Sequence, residues 1–338
     1  MIQAFTTKVI DPQVNGGFIS LPSGEKRIVD FSSPNLKADE TLALADSYAQ
    51  RGIFLLPTII TADVDIMARN SNLIVETIGS HSVFAGLHLE GPFLSAKSIG
   101  AHPAQHLRAA NINDFKRIFK AAKEQVVLTT LAPEIDGALD LIKAIADLGV
   151  VVSIGHHAAS IEQLKAGFAS GASALTHAGN AWNHDDFNKK STDVYDVLRE
   201  QGIFVMLIPD ARHVPPRFVR MCEEITRLIN PAKGYQRFVI TSDASPLEGA
   251  PEGRYRVFLG DEAEVLADPK NGLKQILPLK GSWLDLRKCM QVLAGMEVDG
   301  AKIIEPASIQ AAASLNTLNM LKVPFSRLRL FEKIEQEI

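Results

Sequence analysis

Two kinds of segment alternate along almost the whole chain when the hydrophobic and polar positions are followed from one end to the other. Eight apolar runs have the length of buried strands, and the stretches between them carry apolar residues at helical spacing. The predicted strands cover Lys8 to Val14, Ile53 to Ile60, Val83 to Leu89, Val126 to Leu131, Val150 to His156, Ala174 to His177, Ile203 to Ile208 and Phe238 to Ser242. Eight strand-helix units, with no glycine-rich phosphate-binding turn after the first strand, favour a closed (β/α)8 barrel over an open doubly wound sheet.

The helical stretches support the same order. Ile112, Phe115 and Ile118 fall on one face of a predicted helix. Pro215 and Pro216 stand where a helix would begin, a position at which proline costs little. Two closing helices are predicted at the end of the barrel, over Ser282 to Gly295 and Pro306 to Leu321.

Two stretches interrupt the alternation, a polar loop over Ser95 to Ala110 and an irregular insertion at about 247–280. In a barrel of this kind, loops after the third and eighth strands cover the C-terminal mouth, where function resides. No internal repeat or Pro/Ser-rich linker marks a second domain. We therefore expect residues 1–338 to form one barrel domain.

Composition excludes several classes of protein. The chain has 338 residues, of which 46% are hydrophobic and 22% charged, which is typical of a globular protein with a large core. The net charge is −4 and no basic tract occurs, so a nucleic-acid partner is not expected. No apolar run approaches the roughly 20 residues that span a bilayer, and no secretory signal is recognisable, so we expect a cytoplasmic protein without a membrane partner. Cys222 and Cys289 are interpreted as inert core thiols.

Histidines and carboxylates collect at the C-terminal ends of different predicted strands. His88 and Glu90 share one face of the third strand, and a polar pair facing a barrel lumen is costly unless it is paired or binds a metal. A single lumen histidine is more often a satisfied core group than a ligand. The joint placement of Glu90, His177, Asp243 and a histidine from the fifth strand at one face favours a divalent metal site of the zinc type. Parity along that strand does not decide between His156 and His157.

A series of motifs resembles, in order, those of the N-acetylglucosamine-6-phosphate deacetylases of the amidohydrolase superfamily. The motifs are DPQVNGGF, GLHLEGPFL, IGHHAAS, THAGNAWN, DARHV and TSDASP. The resemblance covers nearly the whole chain and implies a single metal ion held by Glu90, His156 and His177. Gln13 and Asn15 stand where most amidohydrolases carry an HxH pair for a second metal. Zinc is the expected ion, with iron, cobalt or manganese as alternatives.

The resemblance also implies a role for each remaining group. Asp243 would be the catalytic acid/base, taking a proton from a metal-activated water that attacks the acetamide carbonyl and returning it to the leaving amine. His102 and His213 would polarise the carbonyl and orient the sugar. The substrate-binding residues implied in this way are Ala101, His102, Asn180, Ala181, His213, Gly281 and Ser282.

The chain departs from the family pattern at three places. The accessory β-sandwich is expected to be missing, Trp182 replaces the usual Met, and Lys189 and Lys190 stand in the loop where relatives place a phosphate-binding Arg. The leading hypothesis is a homodimeric deacetylase of an N-acetylated amino sugar, with N-acetylglucosamine 6-phosphate as the first candidate. The alternatives are an amidohydrolase of another N-acyl or cyclic amide compound and a non-catalytic sugar-binding barrel.

Overall fold

A computed structural model describes residues 7–21, 23–180, 196–200, 202–229, 236–257, 261–269, 272–278 and 280–321. Eight parallel strands form its central sheet, each hydrogen-bonded to the next in chain order. With all strands numbered along the chain, these eight are β1 (Val9–Val14), β4 (Ile53–Ile60), β5 (Leu87–Glu90), β6 (Val126–Leu131), β7 (Val151–Ile154), β8 (Ala174–Leu175), β9 (Phe204–Leu207) and β10 (Phe238–Ile240).

The sheet closes between its first and last strands. Val14 bridges in parallel to Ala244, just after β10, and the Asn15 N–H donates to the Ala244 carbonyl at 2.8 Å. Every described side chain of β1, β4 and β6 is buried, as expected for strands covered on both faces. The predicted (β/α)8 barrel is thereby confirmed.

Helices surround the barrel, and their apolar stripes face the strands. They are α1 (Ala38–Gln50), α2 (Val64–Ile78), α3 (Ile112–Ala121), α4 (Ala138–Asp147), α5 (Ile161–Ala169), α6 (Pro216–Leu228), α7 (Leu286–Gly295), α8 (Pro306–Ala312) and α9 (Leu315–Leu321). In α3 the predicted stripe residues Phe115 and Ile118 are buried, and α6 begins at Pro216, one of the two prolines where a helix start was predicted. Within the described part of the chain, no helix combines the length and the apolar character needed to cross a bilayer.

Two details of the predicted organisation were wrong. The insertion at 247–280 is not irregular, because it contains an antiparallel sheet of β11 (Gly253–Val257), β12 (Asp261–Ala267) and β13 (Lys274–Leu277). The predicted closing helix over residues 306–321 is two helices, α8 and α9, so that residues 280–321 contain three helices rather than two. The chain turns between α8 and α9 at Ser314, whose hydroxyl donates to the Gln310 carbonyl at 2.6 Å.

A hairpin that the sequence pattern did not indicate follows β1 directly. It consists of β2 (Gly16–Ser20) and β3 (Lys26–Asp30), and a further two-residue pair, β14 (Glu297–Val298) with β15 (Ala301–Lys302), follows α7. Phe18 and Ile28 of the hairpin pack on Val257, Val265 and Ile276 of the insertion sheet, forming a small second core. The hairpin and the insertion sheet thus stabilise each other at the barrel mouth.

Candidate active site at the barrel mouth

The residues proposed for chemistry lie where the parallel strands end. Glu90 is the last residue of β5, His156 and His177 each come two residues after their strand, and Asp243 comes three residues after β10. Because all eight strands point the same way, these ends meet at one face of the barrel. The backbone φ angles of His156, His177 and Asp243 are 49°, 30° and 49°, in the left-handed region that few non-glycine residues adopt. The fold holds these three residues in strained conformations, a feature that clusters at active sites.

Glu90 is the centre of the site. Its Oε1 lies 3.1 Å from His156 Nε2 and 3.0 Å from His177 Nε2, and its side chain is almost completely buried. Burial alone would raise the pKa of the carboxyl, but the two neighbouring imidazoles hold it well below its ordinary value. One charged carboxylate with two imidazoles is the donor set that suits zinc and similar divalent ions.

The orientation of His156 prepares its Nε2 for a cation. Its Nδ1 lies 3.1 Å from the Ser98 carbonyl, which can only accept, so Nδ1 carries the proton. In the neutral ring Nε2 is then a bare lone pair facing a carboxylate oxygen. Two such acceptors repel at 3.1 Å unless a proton or a metal cation lies between them. Glu90 Oε1 and His156 Nε2 are therefore suited to binding a divalent ion.

His102 has the opposite arrangement, although it lies in the same cluster. The ligand atoms of Glu90, His102 and His156 are all within 4.8 Å of one another, which by distance alone would make His102 a third metal ligand. However, His102 Nδ1 accepts a hydrogen bond from the Thr61 backbone N–H at 3.3 Å, and the Thr61 hydroxyl lies 2.9 Å away. Burial and the neighbouring His156 lower the pKa of His102 to about 3, so the ring is neutral. Its single proton is consequently on Nε2, which makes that atom a donor rather than a ligand.

Asp243 is held by two amides. Gln13 Nε2 and Asn15 Nδ2 both donate to its Oδ1 at 2.8 Å. The amide oxygens, Gln13 Oε1 and Asn15 Oδ1, are buried and have no hydrogen-bond partner among the described residues. Burial, together with the negative charge of Glu90, raises the pKa of Asp243 to about 6. Gln13 and Asn15, which stand where most amidohydrolases carry an HxH pair, therefore donate hydrogen bonds to the proposed acid/base.

The other predicted substrate residues surround this cluster where the structure describes them. Asn180 N–H donates to the His177 carbonyl, and Ser282 N–H donates to the Asp243 carbonyl at 2.9 Å. A Cβ at Gly281, whose φ is 72°, would lie 2.6 Å from the Asp243 carbonyl oxygen, so only glycine fits there. Ala101 follows Gly100, whose backbone packs directly against the His156 ring. Ala181, Lys189 and Lys190 lie outside the described residues.

His213 is buried on the other side of the mouth, where its Nδ1 lies 2.8 Å from Asp210 Oδ2. Asp210 received no role from sequence reasoning, and neither did Thr61 or Ser98, whose polar atoms set the proton positions of His102 and His156. Thr61 directly follows a predicted strand and Asp210 comes two residues after another, which is the signal that could have drawn attention to them. Ser98 contributes only a backbone carbonyl, for which a sequence carries no signal.

His88, which was predicted to share a strand face with Glu90, lies one layer deeper in the barrel than Glu90. His88 is completely buried, with Nε2 2.8 Å from the Thr130 hydroxyl and Nδ1 3.3 Å from that of Thr58. Burial lowers the pKa of this ring to about 4. His88 is therefore a neutral, hydrogen-bonded group beneath Glu90.

Comparisons with known proteins agree with the motif pattern. No family model matches the chain. The N-acetylglucosamine-6-phosphate deacetylase of Bos taurus is 32% identical over 323 residues, covering 90% of this chain and 73% of that protein. The Mus musculus enzyme of the same name is 31% identical over 258 residues, covering 73% of this chain but 58% of that protein. The N-acetylgalactosamine-6-phosphate deacetylase of Escherichia coli O157:H7 is 28% identical over 275 residues, which is 79% of this chain and 67% of that protein.

Solved structures give the same result for the fold. The N-acetyl-D-glucosamine-6-phosphate deacetylase of Mycobacterium smegmatis superposes with a TM-score of 0.74 at 25% identity, over 93% of this chain and 78% of that one. The Thermotoga maritima N-acetylglucosamine-6-phosphate deacetylase superposes with a TM-score of 0.69 at 20% identity, over 94% and 78%. The resemblance read from the motifs is confirmed. The chain belongs to the N-acetylglucosamine-6-phosphate deacetylase family.

Proposed function

We propose that the protein is a metal-dependent hydrolase that removes the acetyl group from an N-acetylated amino sugar, with N-acetylglucosamine 6-phosphate as the expected substrate. The observation that carries the proposal is the buried Glu90 carboxylate between two imidazole nitrogens, 3.0 and 3.1 Å away, in a chain of this family. We further expect a homodimer, as the sequence resemblance implies, and a cytoplasmic location.

The metal would be held by Glu90, His156 and His177, with zinc as the expected ion. The proton positions support this set over one containing His102, because the neutral ring of His156 presents a bare Nε2 whereas that of His102 carries its proton on Nε2. When bound, a divalent ion supplies a Lewis acid that brings the pKa of water toward neutrality.

Asp243 would accept a proton and later deliver it to the leaving amine. Its Oδ1 already accepts two amide hydrogen bonds, so Oδ2 is the oxygen left for proton transfer. A pKa of about 6 keeps the carboxylate mostly ionised at pH 7 while leaving it close enough to neutrality to give the proton back.

His102 and His213 would act on the substrate. The Nε2–H of neutral His102 can donate a hydrogen bond to a substrate oxygen beside the metal ligands, and His213 can polarise the acetyl carbonyl from the other side of the mouth. Asn180 and Ser282 are hydrogen-bonded through their backbones to His177 and Asp243, and Gly281 packs against the Asp243 carbonyl, which supports their placement around the sugar. Ala101 and Ala181 complete the proposed substrate contacts.

A second candidate substrate is the galacto epimer. One relative, 28% identical, is named an N-acetylgalactosamine-6-phosphate deacetylase. The described residues contain no feature that selects one epimer, so both compounds belong in the test.

The test is a substrate panel with metal analysis. The protein is loaded with Zn²⁺, its metal content is measured by mass spectrometry, and acetate release is followed with the 6-phosphates of N-acetylglucosamine and N-acetylgalactosamine. Plain N-acetylglucosamine serves as the matched compound for the phosphate. We expect one metal ion per chain and turnover of a phosphorylated sugar. Metal binding without acetate release from any of these sugars would contradict the proposed substrate, and a protein that binds no metal would favour the non-catalytic barrel.

A further inference from the structure

The loop after β9 is a tight turn organised by one carboxylate. Asp210 Oδ1 accepts hydrogen bonds from the backbone N–H groups of Arg212 and His213, at 2.9 and 3.0 Å. Its Oδ2 lies 2.8 Å from His213 Nδ1. Ala211 between them has a φ of 64°, which closes the turn in a conformation that non-glycine residues rarely adopt. The carboxylate therefore fixes both the backbone and the ring of His213.

Both members of the pair are buried, with 3% of Asp210 and 5% of His213 exposed. Although burial opposes it, the positive charge of His213 lowers the pKa of Asp210 below its ordinary value, so the carboxylate stays ionised. Burial would lower the pKa of His213, but the charge of Asp210 raises it. An ionised carboxylate only accepts, so Nδ1 carries a proton in both the neutral and the charged ring.

Of the charged groups near His213, Asp210 acts on it most strongly. Asp243 also favours the charged ring, and Arg212 opposes it. The Arg212 guanidinium points elsewhere, since its Nη1 bonds to Asp268 Oδ2 at 3.0 Å and to the Gln275 side chain of β13. The Arg212 side chain, the cation next to His213 in sequence, is thus bonded to residues of the insertion. Among the described residues, Nε2 of His213 makes no hydrogen bond, which leaves it for a ligand.

We propose that Asp210 is a positioning residue that fixes the proton of His213 on Nδ1 and directs Nε2 toward the substrate. The proposal rests on the proposed function, because the substrate group that Nε2 meets is the acetyl oxygen of that reaction. As negative charge develops on this oxygen, the charged ring donates from Nε2 and the Asp210 carboxylate balances the ring. An acid that orients an imidazole in this way contributes through its partner and does not touch the substrate.

The first experiment examines the zinc-loaded wild-type protein without substrate. Imidazole ¹⁵N NMR distinguishes Nδ1-protonated, Nε2-protonated and doubly protonated rings, and the His213→Gln spectrum assigns the signal. As the pH is varied, we expect the His213 ring to keep its Nδ1 proton throughout. A neutral His213 with its proton on Nε2 would overturn the proposal. This result does not depend on turnover, so it is separate from any failure of the proposed function.

The second experiment is a double-mutant cycle with Asp210→Asn, a nearly isosteric change. The amide oxygen can still accept the two backbone hydrogen bonds, while the NH₂ group faces Nδ1 and forces the proton to Nε2. Because the charged ring then lacks its balancing carboxylate, we expect kcat for deacetylation to fall by up to about 10²- to 10³-fold, the loss seen when one oxyanion-stabilising group is removed, while KM changes less than about threefold. In the His213→Gln background the same substitution should have no further effect on kcat.

The control is Asp46→Asn, which removes the carboxylate from the exposed pair of His81 and Asp46, 3.2 Å apart. It should leave kcat and the His213 signal unchanged. Thermal unfolding and metal content, measured for every variant, identify an effect of misfolding. Asp210→Glu is a second variant that keeps the acceptor, and we expect it to restore the Nδ1 proton in part. An unchanged kcat in a folded Asp210→Asn protein, or an equal loss in the His213→Gln background, would overturn the proposal.

Discussion

The two sides of the barrel mouth satisfy their buried charges in different ways. At the ends of β5, β7 and β8, two imidazoles are directed at one oxygen of Glu90. After β9 and β10, each functional group has a partner of its own, since Asp210 bonds to His213 and two amides bond to Asp243. The first side shares one negative charge among several nitrogen atoms, which is an arrangement for holding a cation. The second side fixes individual proton positions, which is an arrangement for moving protons.

The largest effect is expected for Glu90→Gln, which removes the shared charge. Even residues that only support metal ligands change metal affinity by about 10- to 100-fold, so loss of a ligand should weaken zinc binding by more than about 100-fold. Metal content after dialysis and acetate release should both fall to background. Glu224→Gln is the control, because that carboxylate lies on the outer helix α6 in an exposed ion pair with Arg220. Full zinc occupancy in Glu90→Gln would show that the Glu90 charge does not hold the metal, and the distinction between a metal-binding side and a proton-transfer side would fail.

The next effect is expected for Asp243→Asn, on the proton-transfer side. Loss of a general acid/base lowers turnover by about 10²- to 10⁴-fold. Zinc content should stay near the wild-type value, because the two imidazoles and Glu90 are untouched. Activity and metal content are measured on one preparation of the variant. A loss of activity with metal retained distinguishes the two sides. Parallel loss of both would place Asp243 among the metal ligands.

A smaller effect is expected for Gln13→Met, which removes one amide donor and nearly preserves volume. Asp243 acts as a base when ionised, so kcat/KM should fall as the pH drops through its pKa of about 6. A hydrogen bond to a charged group is worth about 1.5 to 3 kcal/mol, so its loss should move this acid limb upward by one pH unit or more. The pH profile of kcat/KM measures the shift. An acid limb that does not move would show that Gln13 does not tune Asp243.

The smallest effect is expected for Thr61→Val, which removes the hydroxyl that lies 2.9 Å from His102 Nδ1 and 3.4 Å from the Glu90 carbonyl oxygen, and keeps the backbone N–H bond. The loss of one neutral hydrogen bond, about 0.5 to 1.5 kcal/mol, should raise KM by about two- to tenfold with zinc content unchanged. Thr77→Val on α2, where the hydroxyl bonds only to the Leu73 carbonyl, is the matched control. Weaker zinc binding in Thr61→Val would indicate that His102 is a ligand after all.

The fold was predictable where burial is continuous. The limits of β4 and β6 agree with the predicted strands at both ends, because every residue of these strands is buried. The prediction extended β8 to His177, whereas the strand ends at Leu175. His177 departs from the strand conformation, since its backbone φ is 30°. The insertion sheet escaped prediction because its strands are short and carry many exposed charged residues, as in β11, so their alternation resembles a polar loop.

The site was predictable as a set of residues but not as a set of bonds. A histidine or carboxylate at a strand end is visible in the sequence, and Glu90 with its imidazoles was found in this way. The bond from Gln13 to Asp243 joins residues 230 positions apart, and the contact that decides the proton on His102 comes from a residue 41 positions away. Such pairings depend on barrel closure and on the exact register between strands, which local patterns do not contain.

The left-handed backbone of His156, His177 and Asp243 affects which substitutions a selection for thermal stability would favour. A left-handed conformation costs a non-glycine residue about 1 to 2 kcal/mol, and glycine avoids most of that penalty. A library selected only for heat resistance would therefore be drawn toward glycine at these three codons, and with each replacement it would lose an imidazole or a carboxylate. Thermostable variants of this barrel should be sought with a concurrent screen for turnover, because stability and chemistry compete for the same three positions.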